Sequence, residues 1–382
     1  MKQVFLVTGH YLQSKRQAGF HWLADAYWRA GWEVTFFTAA LSWLSRLRGD
    51  FRFAYPVRCE ANKLKWVRER MASYVWYTKW HPANLRLGVL NKLASGKFSQ
   101  YGELPLGEAE NQARQADLII FESTPGLLLF ERFKRLNPTA RFVYRVSDDL
   151  DLLRNHGVVL AAERRLVPQF DMVSVPSNAL YERFAGQGNL HLHHHGIAKH
   201  IYDRQMTSPY AMDNIVKVVF IGSSHVDVDA IDRASRQLPS WQFHIIGKIA
   251  GLPRRRNVIA HGEAPFVQVV PYIKHADIGL HAVLYKPGAE SFSDSLKVIQ
   301  YSYCRLPIVA PQFLRPLRPN VVSYRPEDDE SIRQAMLAAR EIDRAAICTD
   351  DISSWDDLAK EISGPLWETG NKHSRSGEHD EG

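Results

Sequence analysis

The chain has 382 residues, 45% of them hydrophobic, enough to fill a core in each of two domains, which excludes a disordered or fibrous protein. Its net charge of +7 favours an anionic partner, and nucleic acid, a membrane surface and a phosphorylated metabolite all qualify. Three cysteines, Cys59, Cys304 and Cys348, lack pair spacing, which excludes a disulfide framework or a cysteine zinc site and fits a reducing cytoplasm; no run reaches the roughly 18 apolar residues of a membrane span.

The run VFLV at 4–7 predicts a short buried strand, too short for a signal peptide, followed by a loop through Thr8, Gly9 and His10. Helical spacing over 20–30, closed by Gly31, leads to a second strand at 32–37. Strand, helix, glycine, strand is the opening of a parallel sheet. Further strands are expected at 118–121, 141–145 and 171–175, with a helix over 127–136 and another capped by Ser177.

Residues 41–97 carry Trp43, Trp66, Trp76 and Trp80 interleaved with Arg46, Arg48, Lys63, Lys65, Arg68, Arg70 and Lys79. At roughly helical spacing, this predicts an interfacial helix on an anionic bilayer, against the plainer alternative of a core-packed helix with a solvated basic face.

The strand pattern then restarts. Runs at 217–221, 242–246, 258–260 and 277–281 end in small or polar residues, the first in Gly222, Ser223 and Ser224, the second in Gly247, the third in His261, Gly262 and Glu263. A helix is expected over 266–276. Two successive sets of parallel-strand units predict two doubly wound α/β domains, 1–200 and 201–368, facing a central cleft, with ligands at the carboxyl ends of the strands. The polar stretch 369–382 is expected to be a disordered tail.

Residues 291–310 form a loop, helix, turn and buried strand in that order. Ser291, Ser293, Asp294 and Ser295 are all N-cap candidates. A helix beginning there aims its free N–H groups and positive dipole end at a diphosphate, with Lys297 and Gln300 near one face. In the first half, Asp148 follows the 141–145 strand. It is read as a general base, as a helix cap, or, with Asp149 and Asp151, as a metal ligand. His191, His193 and His195 share one face of an extended segment, but no cysteine or acidic ligand lies nearby, so an interdomain crossover is preferred to zinc. Glu263 suits either a sugar hydroxyl or a helix cap. No P-loop, Ser-His-Asp triad, full Gly-x-Gly-x-x-Gly fingerprint or nucleic-acid motif is present.

The segments FVYRVSD at 142–148, Gly262 with Glu263, PYIKHA at 271–276, SLKVIQ at 295–300 and LPIVAP at 306–311 occur in the order and spacing of one family. Together they resemble the GumK-type glucuronosyltransferases of xanthan assembly, glycosyltransferase family 70. The resemblance implies a GT-B fold and an inverting, metal-independent transfer of glucuronate from UDP-glucuronate, without a cofactor. The acceptor it implies is a polyprenyl-diphosphate-linked oligosaccharide, at the cytoplasmic face of the inner membrane. It puts the catalytic base on Asp148, the donor-site glutamate on Glu263, and the diphosphate-facing lysine and glutamine on Lys297 and Gln300. The donor site also takes in Ser223, Ser293, Asp294 and Ser295. Leu296 stands where the family has Met, Ser224 where its Gly-Ser-Met loop has Met, and Arg305 where it has Gly. A family tyrosine falls on Tyr285 or Val283. These departures leave another UDP-sugar donor open. From other classes, a non-catalytic membrane-surface protein and a sugar-nucleotide epimerase stand as rivals.

Overall fold

The computed structural model describes residues 1–15, 17–316 and 318–368, so the expected tail lies outside the described residues. The chain divides into two compact units.

The first unit is built on eight strands: β1 (Gln3–Thr8), β2 (Glu33–Ser42), β3 (Leu64–Arg68), β4 (Met71–Thr78), β5 (Leu118–Glu122), β6 (Arg141–Arg145), β7 (Met172–Val175) and β8 (Leu190–Leu192). Their order is β3-β4-β2-β1-β5-β6-β7-β8, and every pair is parallel except β3 with β4. β5, LIIFE, is buried at every position. Such continuous burial marks a parallel strand covered on both faces by crossover helices. Its aromatic core gathers Phe5, Phe37, Tyr74, Trp76, Phe121 and Phe133.

The second unit carries β9 (Lys217–Ile221), β10 (Gln242–Ile246), β11 (Val258–Gly262), β12 (Ile278–Leu280), β13 (Ile308–Pro311) and β14 (Val321–Tyr324). All pairs are parallel, in the order β11-β10-β9-β12-β13-β14. Each sheet therefore grows outward in both directions from an early strand. The order reverses between β1 and β5 in the first and between β9 and β12 in the second. In doubly wound sheets, ligands bind outside the carboxyl ends of strands at such switch points.

Three expectations change. The interfacial helix over 41–97 is not formed. β2 runs on to Ser42, and Trp66 and Trp76 lie on β3 and β4. β4, MASYVWYT, is an inner strand rich in aromatic and branched residues, which favour a pleated surface. Trp76 is buried, with its ring 4.6 Å from Tyr101, and its Nε1 donates to the Pro105 carbonyl at 2.9 Å. Among the described residues of this stretch, α-helix is confined to the short Trp43–Leu47 segment and to Gly88–Ser99, with a 3₁₀ turn at Phe51–Ala54. The helix expected over 127–136 is split into a 3₁₀ turn, Pro125–Leu129, and a helix, Phe130–Leu136.

The third change concerns the domain limits. The units part between His193 and His194 rather than at 200/201, and the chain re-enters the first unit at Trp355. The helix Trp355–Ser363 packs on the helix Gly19–Arg29. Arg29 bonds Asp356 at 2.7 Å, Tyr27 donates its hydroxyl to the Ala359 carbonyl at 3.1 Å, and Trp355 fills the space over Gly19. The stretch 355–368 thus belongs to the first unit, not to the domain expected at 201–368.

Candidate active site

In the first unit, the loops leaving β1, β5 and β6 meet along one sheet edge. Glu122, the last residue of β5, is buried. Its Oε2 accepts from Thr8 Oγ1 at 2.5 Å and from the Gly9 N–H at 3.1 Å, and its Oε1 lies 3.3 Å from His10 Nε2. Burial alone would raise the carboxyl pKa; the neighbouring His10 charge and the bonds from His10, Thr8 and Gly9 outweigh it and hold the pKa at about 2. Next in sequence, Ser123 Oγ accepts the N–H groups of Ser147 at 3.1 Å and Asp148 at 3.0 Å. This fixes the start of the Asp148 loop, while the Asp148 residue itself is exposed.

The two rival roles for the acidic run are filled otherwise. The next helix, Gly157–Leu166, is capped by His156, whose Nδ1 accepts from the Val158 N–H at 3.2 Å. Asp149 makes a turn by accepting from the Asp151 N–H at 2.8 Å, and it pairs with Arg183. Arg183 also reaches Asp151 at 3.1 Å and Glu163 at 3.0 Å. Two of the three carboxylates are thus committed to one guanidinium, and Asp148 lies at an exposed position.

In the second unit, the switch point is lined by the loop after β9 and by the segment leading into the helix Leu296–Tyr303. Tyr301 anchors this helix to β9: its hydroxyl accepts from the Ile221 N–H at 3.1 Å and donates to the Val219 carbonyl at 3.3 Å. One turn earlier, the Lys297 ammonium sits 4.1 Å from the centre of the Phe220 ring. Burial lowers its pKa from 10.5 to about 7. Gly222 adopts φ +140°, which strains any side chain, and a Cβ there would stand 3.2 Å from the Lys297 Nζ. Gly247 is tighter still: at φ +141°, its Cβ would lie 1.9 Å from the Gly222 carbonyl oxygen. Ser223 accepts from the Lys248 N–H at 3.3 Å, and Ser224 is exposed beside it.

The N-cap residue is Ser295 rather than Ser293 or Asp294, and it makes no side-chain cap bond. Its Oγ is buried without a hydrogen-bond partner among the described residues. Ser293 instead donates to Asp294 at 3.3 Å, in the turn before the helix. Among the described residues, no side-chain cap bond closes the start of this helix. Leu296 opens it, and Gln300 is buried. Glu263 follows β11 directly and is exposed; the helix Phe266–His275 takes Pro265 as its N-cap residue, so the capping role considered for Glu263 is absent. Tyr285 is 62% exposed, its ring 5.2 Å from Phe313.

Two groups at these edges escaped the sequence reading. One is the Glu122–His10 pair. The other is His281, which follows β12 and offers Nε2 to the Phe292 carbonyl at 3.3 Å. Burial, then the Lys297 charge, lowers its pKa to about 3, so the imidazole is neutral.

Two parallel doubly wound units, each with its polar groups at a switch point, define a GT-B glycosyltransferase fold. The chain is similar over 98% of its length to a glycosyltransferase from Rickettsia africae ESF-5 (TM-score 0.58, 11% identity, 99% of that chain). It is similar over 96% of its length to the trehalose-6-phosphate synthase OtsA (TM-score 0.56, 10% identity, 97% of that chain). Residues 6–176 match the family model described as glucuronosyltransferase GumK, N-terminal domain. Across 365 residues the chain is 28% identical to the UDP-glucuronate:glycolipid 2-beta-glucuronosyltransferase of Xanthomonas campestris pv. campestris, covering 94% of this chain and 89% of that protein. These matches support a glycosyltransferase that is similar to the GumK-type glucuronosyltransferases.

Proposed function

We propose that this chain transfers glucuronate from UDP-glucuronate to a glycolipid, a polyprenyl-diphosphate-linked oligosaccharide made for an exopolysaccharide. The observation that carries the reading is the end-to-end similarity to a protein named for that reaction. The chemistry of the two edges supports it. UDP departs towards the uncapped N–H groups of the helix Leu296–Tyr303 and the Lys297 ammonium, where charge develops in the transition state. Asp148 takes the proton of the acceptor hydroxyl as its oxygen attacks the anomeric carbon from the face opposite UDP. One displacement turns an α-linked donor into a β-glucuronide. Lys297 provides the positive charge that a divalent ion would otherwise bring, so the reaction proceeds without a metal. Glu263, exposed after β11, is placed to bind a donor hydroxyl, with Ser223, Ser224 and Tyr285 on neighbouring loops.

Purified protein, membranes carrying lipid-linked oligosaccharide and a panel of labelled UDP-sugars make the test. Label from UDP-glucuronate is expected in the lipid fraction, and undiminished when a chelator is present. No lipid label from any sugar nucleotide would overturn the reading, and dependence on a restored divalent ion would overturn its metal-free form. Label from a different UDP-sugar would reassign the donor.

The acceptor's lipid places the reaction at a bilayer. No helix among the described residues is long and apolar enough to cross one. The contact is instead peripheral, through the helices Trp43–Leu47 and Gly88–Ser99. Trp43, Leu47, Leu87, Val89, Leu90 and Leu93 are exposed there, beside exposed Arg46, Arg48, Arg86 and Lys92. Arg48 ties the two segments by donating to the Asn84 carbonyl at 2.7 Å. Exposed apolar residues next to cations fit an anionic membrane surface. The protein is expected to sediment with anionic vesicles, and the double variant Leu90→Glu, Leu93→Glu to remain in the supernatant. Equal sedimentation of both would remove these helices from the interface.

A further inference from the structure

We propose that Arg183 is a positioning residue for the transfer: its guanidinium, anchored from behind by Glu163, holds the loop of the base Asp148 through Asp149 and Asp151. The inference rests on the reading of Asp148 as the base given above.

Three observations point the same way. The first is topological. β6 lies between β5 and β7, and the loop that leaves β6 is held from both sides. On the β5 side, Ser123 Oγ accepts the Asp148 N–H at 3.0 Å. On the β7 side, Arg183 ends the helix Asn178–Arg183 and pairs with Asp149 and, at 3.1 Å, with Asp151. Asp148 sits where the two holds meet. The second is the anchor. Glu163, on the helix Gly157–Leu166, is 2% exposed. Its Oε2 lies 3.0 Å from Arg183 Nη2, and its Oε1 accepts from the Tyr144 hydroxyl at 2.5 Å. Tyr144 is buried in β6, the strand that the Asp148 loop leaves. The third is the loop itself. The Leu153 N–H donates to the Asp149 carbonyl at 3.1 Å and the Asn155 N–H to the Leu150 carbonyl at 3.2 Å, with Leu150 buried. The residues that Arg183 grips therefore belong to one wound turn directly after Asp148.

Stability alone explains the cluster less well. Burial pushes the Glu163 carboxyl up to about 7, against the bond from Tyr144. An apolar residue at that place would spare the cost of desolvation. Asp151 is 60% exposed, and ion pairs at such positions add little to stability. What the cluster does supply is geometry. A guanidinium is a rigid planar fork that bonds several oxygens in fixed directions, and here it joins carboxyl groups from a loop and a helix. A base must lie within hydrogen-bond reach of the hydroxyl it deprotonates, and a misplacement of about 1 Å costs about 10²-fold in rate. Arg183 acts through the loop and not on the substrate.

Steady-state kinetics with UDP-glucuronate and a lipid-linked oligosaccharide in detergent test this. Arg183→Ala is expected to lower kcat about 10- to 100-fold, with the KM for UDP-glucuronate as in the wild type. Guanidinium chloride at a sub-denaturing concentration is expected to restore part of that rate by taking the place of the lost head group. Guanidinium weakens the folded state, so a variant that is slow only through instability would become slower still. Arg183→Lys keeps the charge without the fork and is expected to fall between the wild type and Arg183→Ala; its kcat decides the matter if the alanine variant fails to fold. An unchanged kcat in the folded variant, a raised KM for UDP-glucuronate, or a defect that guanidinium does not relieve in Arg183→Ala would overturn the inference. Asp148→Asn, measured alongside, separates the two readings. If it keeps wild-type turnover, the base reading fails and this inference with it. If it is slow while Arg183→Ala is not, this inference alone fails.

Discussion

Asp148→Asn is expected to lower transfer by about 10²–10⁴-fold, the range for a lost general base, and to leave UDP binding as in the wild type. The substitution keeps the size and replaces the carboxylate by a neutral amide, which cannot take up the proton. Asp148 is exposed, and Ser123 holds its backbone N–H, an interaction that an asparagine preserves. The fold should therefore be indifferent, since surface changes away from special features usually fall within about 0.5 kcal/mol. The neighbours make useful controls. Asp149 and Asp151 pair with Arg183, so their asparagine variants should loosen the loop and show a changed melting temperature along with any loss of rate. A rate defect with an unchanged melting curve is the signature required of Asp148. Turnover within a few-fold of wild type in Asp148→Asn would remove it from the mechanism.

Much of the architecture was legible because parallel strands are covered on both faces. Runs such as LIIFE at β5 and KVVFI at β9 announce themselves as apolar blocks ended by loop residues. The same property misled the reading of 41–97. β4 is buried on both faces too, but its run is aromatic and flanked by basic turns, and that mixture imitates an amphipathic helix. The return of the chain at Trp355 had no local signal, because Arg29 and Asp356 meet across most of the sequence. Lys297 and Gln300 were legible as neighbours because they are local to one helix. The support for Lys297 was not: Phe220, Gly222 and Tyr301 come together only when β9 meets that helix. His10 and Glu122 are likewise far apart in the chain. The available clue was chemical, a carboxylate ending an otherwise apolar buried strand, which needs a partner somewhere.

Lys297→Ala is expected to weaken UDP binding by about 10- to 100-fold, the worth of a charge-assisted bond to phosphate, and to remove a pH dependence that the wild type should show. Burial brings the ammonium pKa down to about 7 in the unliganded protein. A diphosphate beside Nζ restores the charged form, so above pH 7 binding must draw in a proton. UDP affinity should therefore fall as pH rises from about 7.5 to 9, where phosphate, with a second pKa of about 6, is already ionised. Stability without ligand runs the other way. The unfolded chain holds this proton up to about pH 10.4 and the folded chain releases it near 7, so in that window the unfolded state binds more protons and a rising pH favours folding. Calorimetry in two buffers of different ionisation enthalpy reads the proton directly: uptake in the wild type, none in Lys297→Ala. Affinity independent of pH in the wild type, or unchanged affinity in the variant, would separate Lys297 from the leaving group. The opposite slopes matter for the mechanism. A lysine held half-neutral until the diphosphate arrives gains its charge when the leaving group needs it, and the uncapped N–H groups of Leu296–Tyr303 then act beside a full ammonium rather than alone.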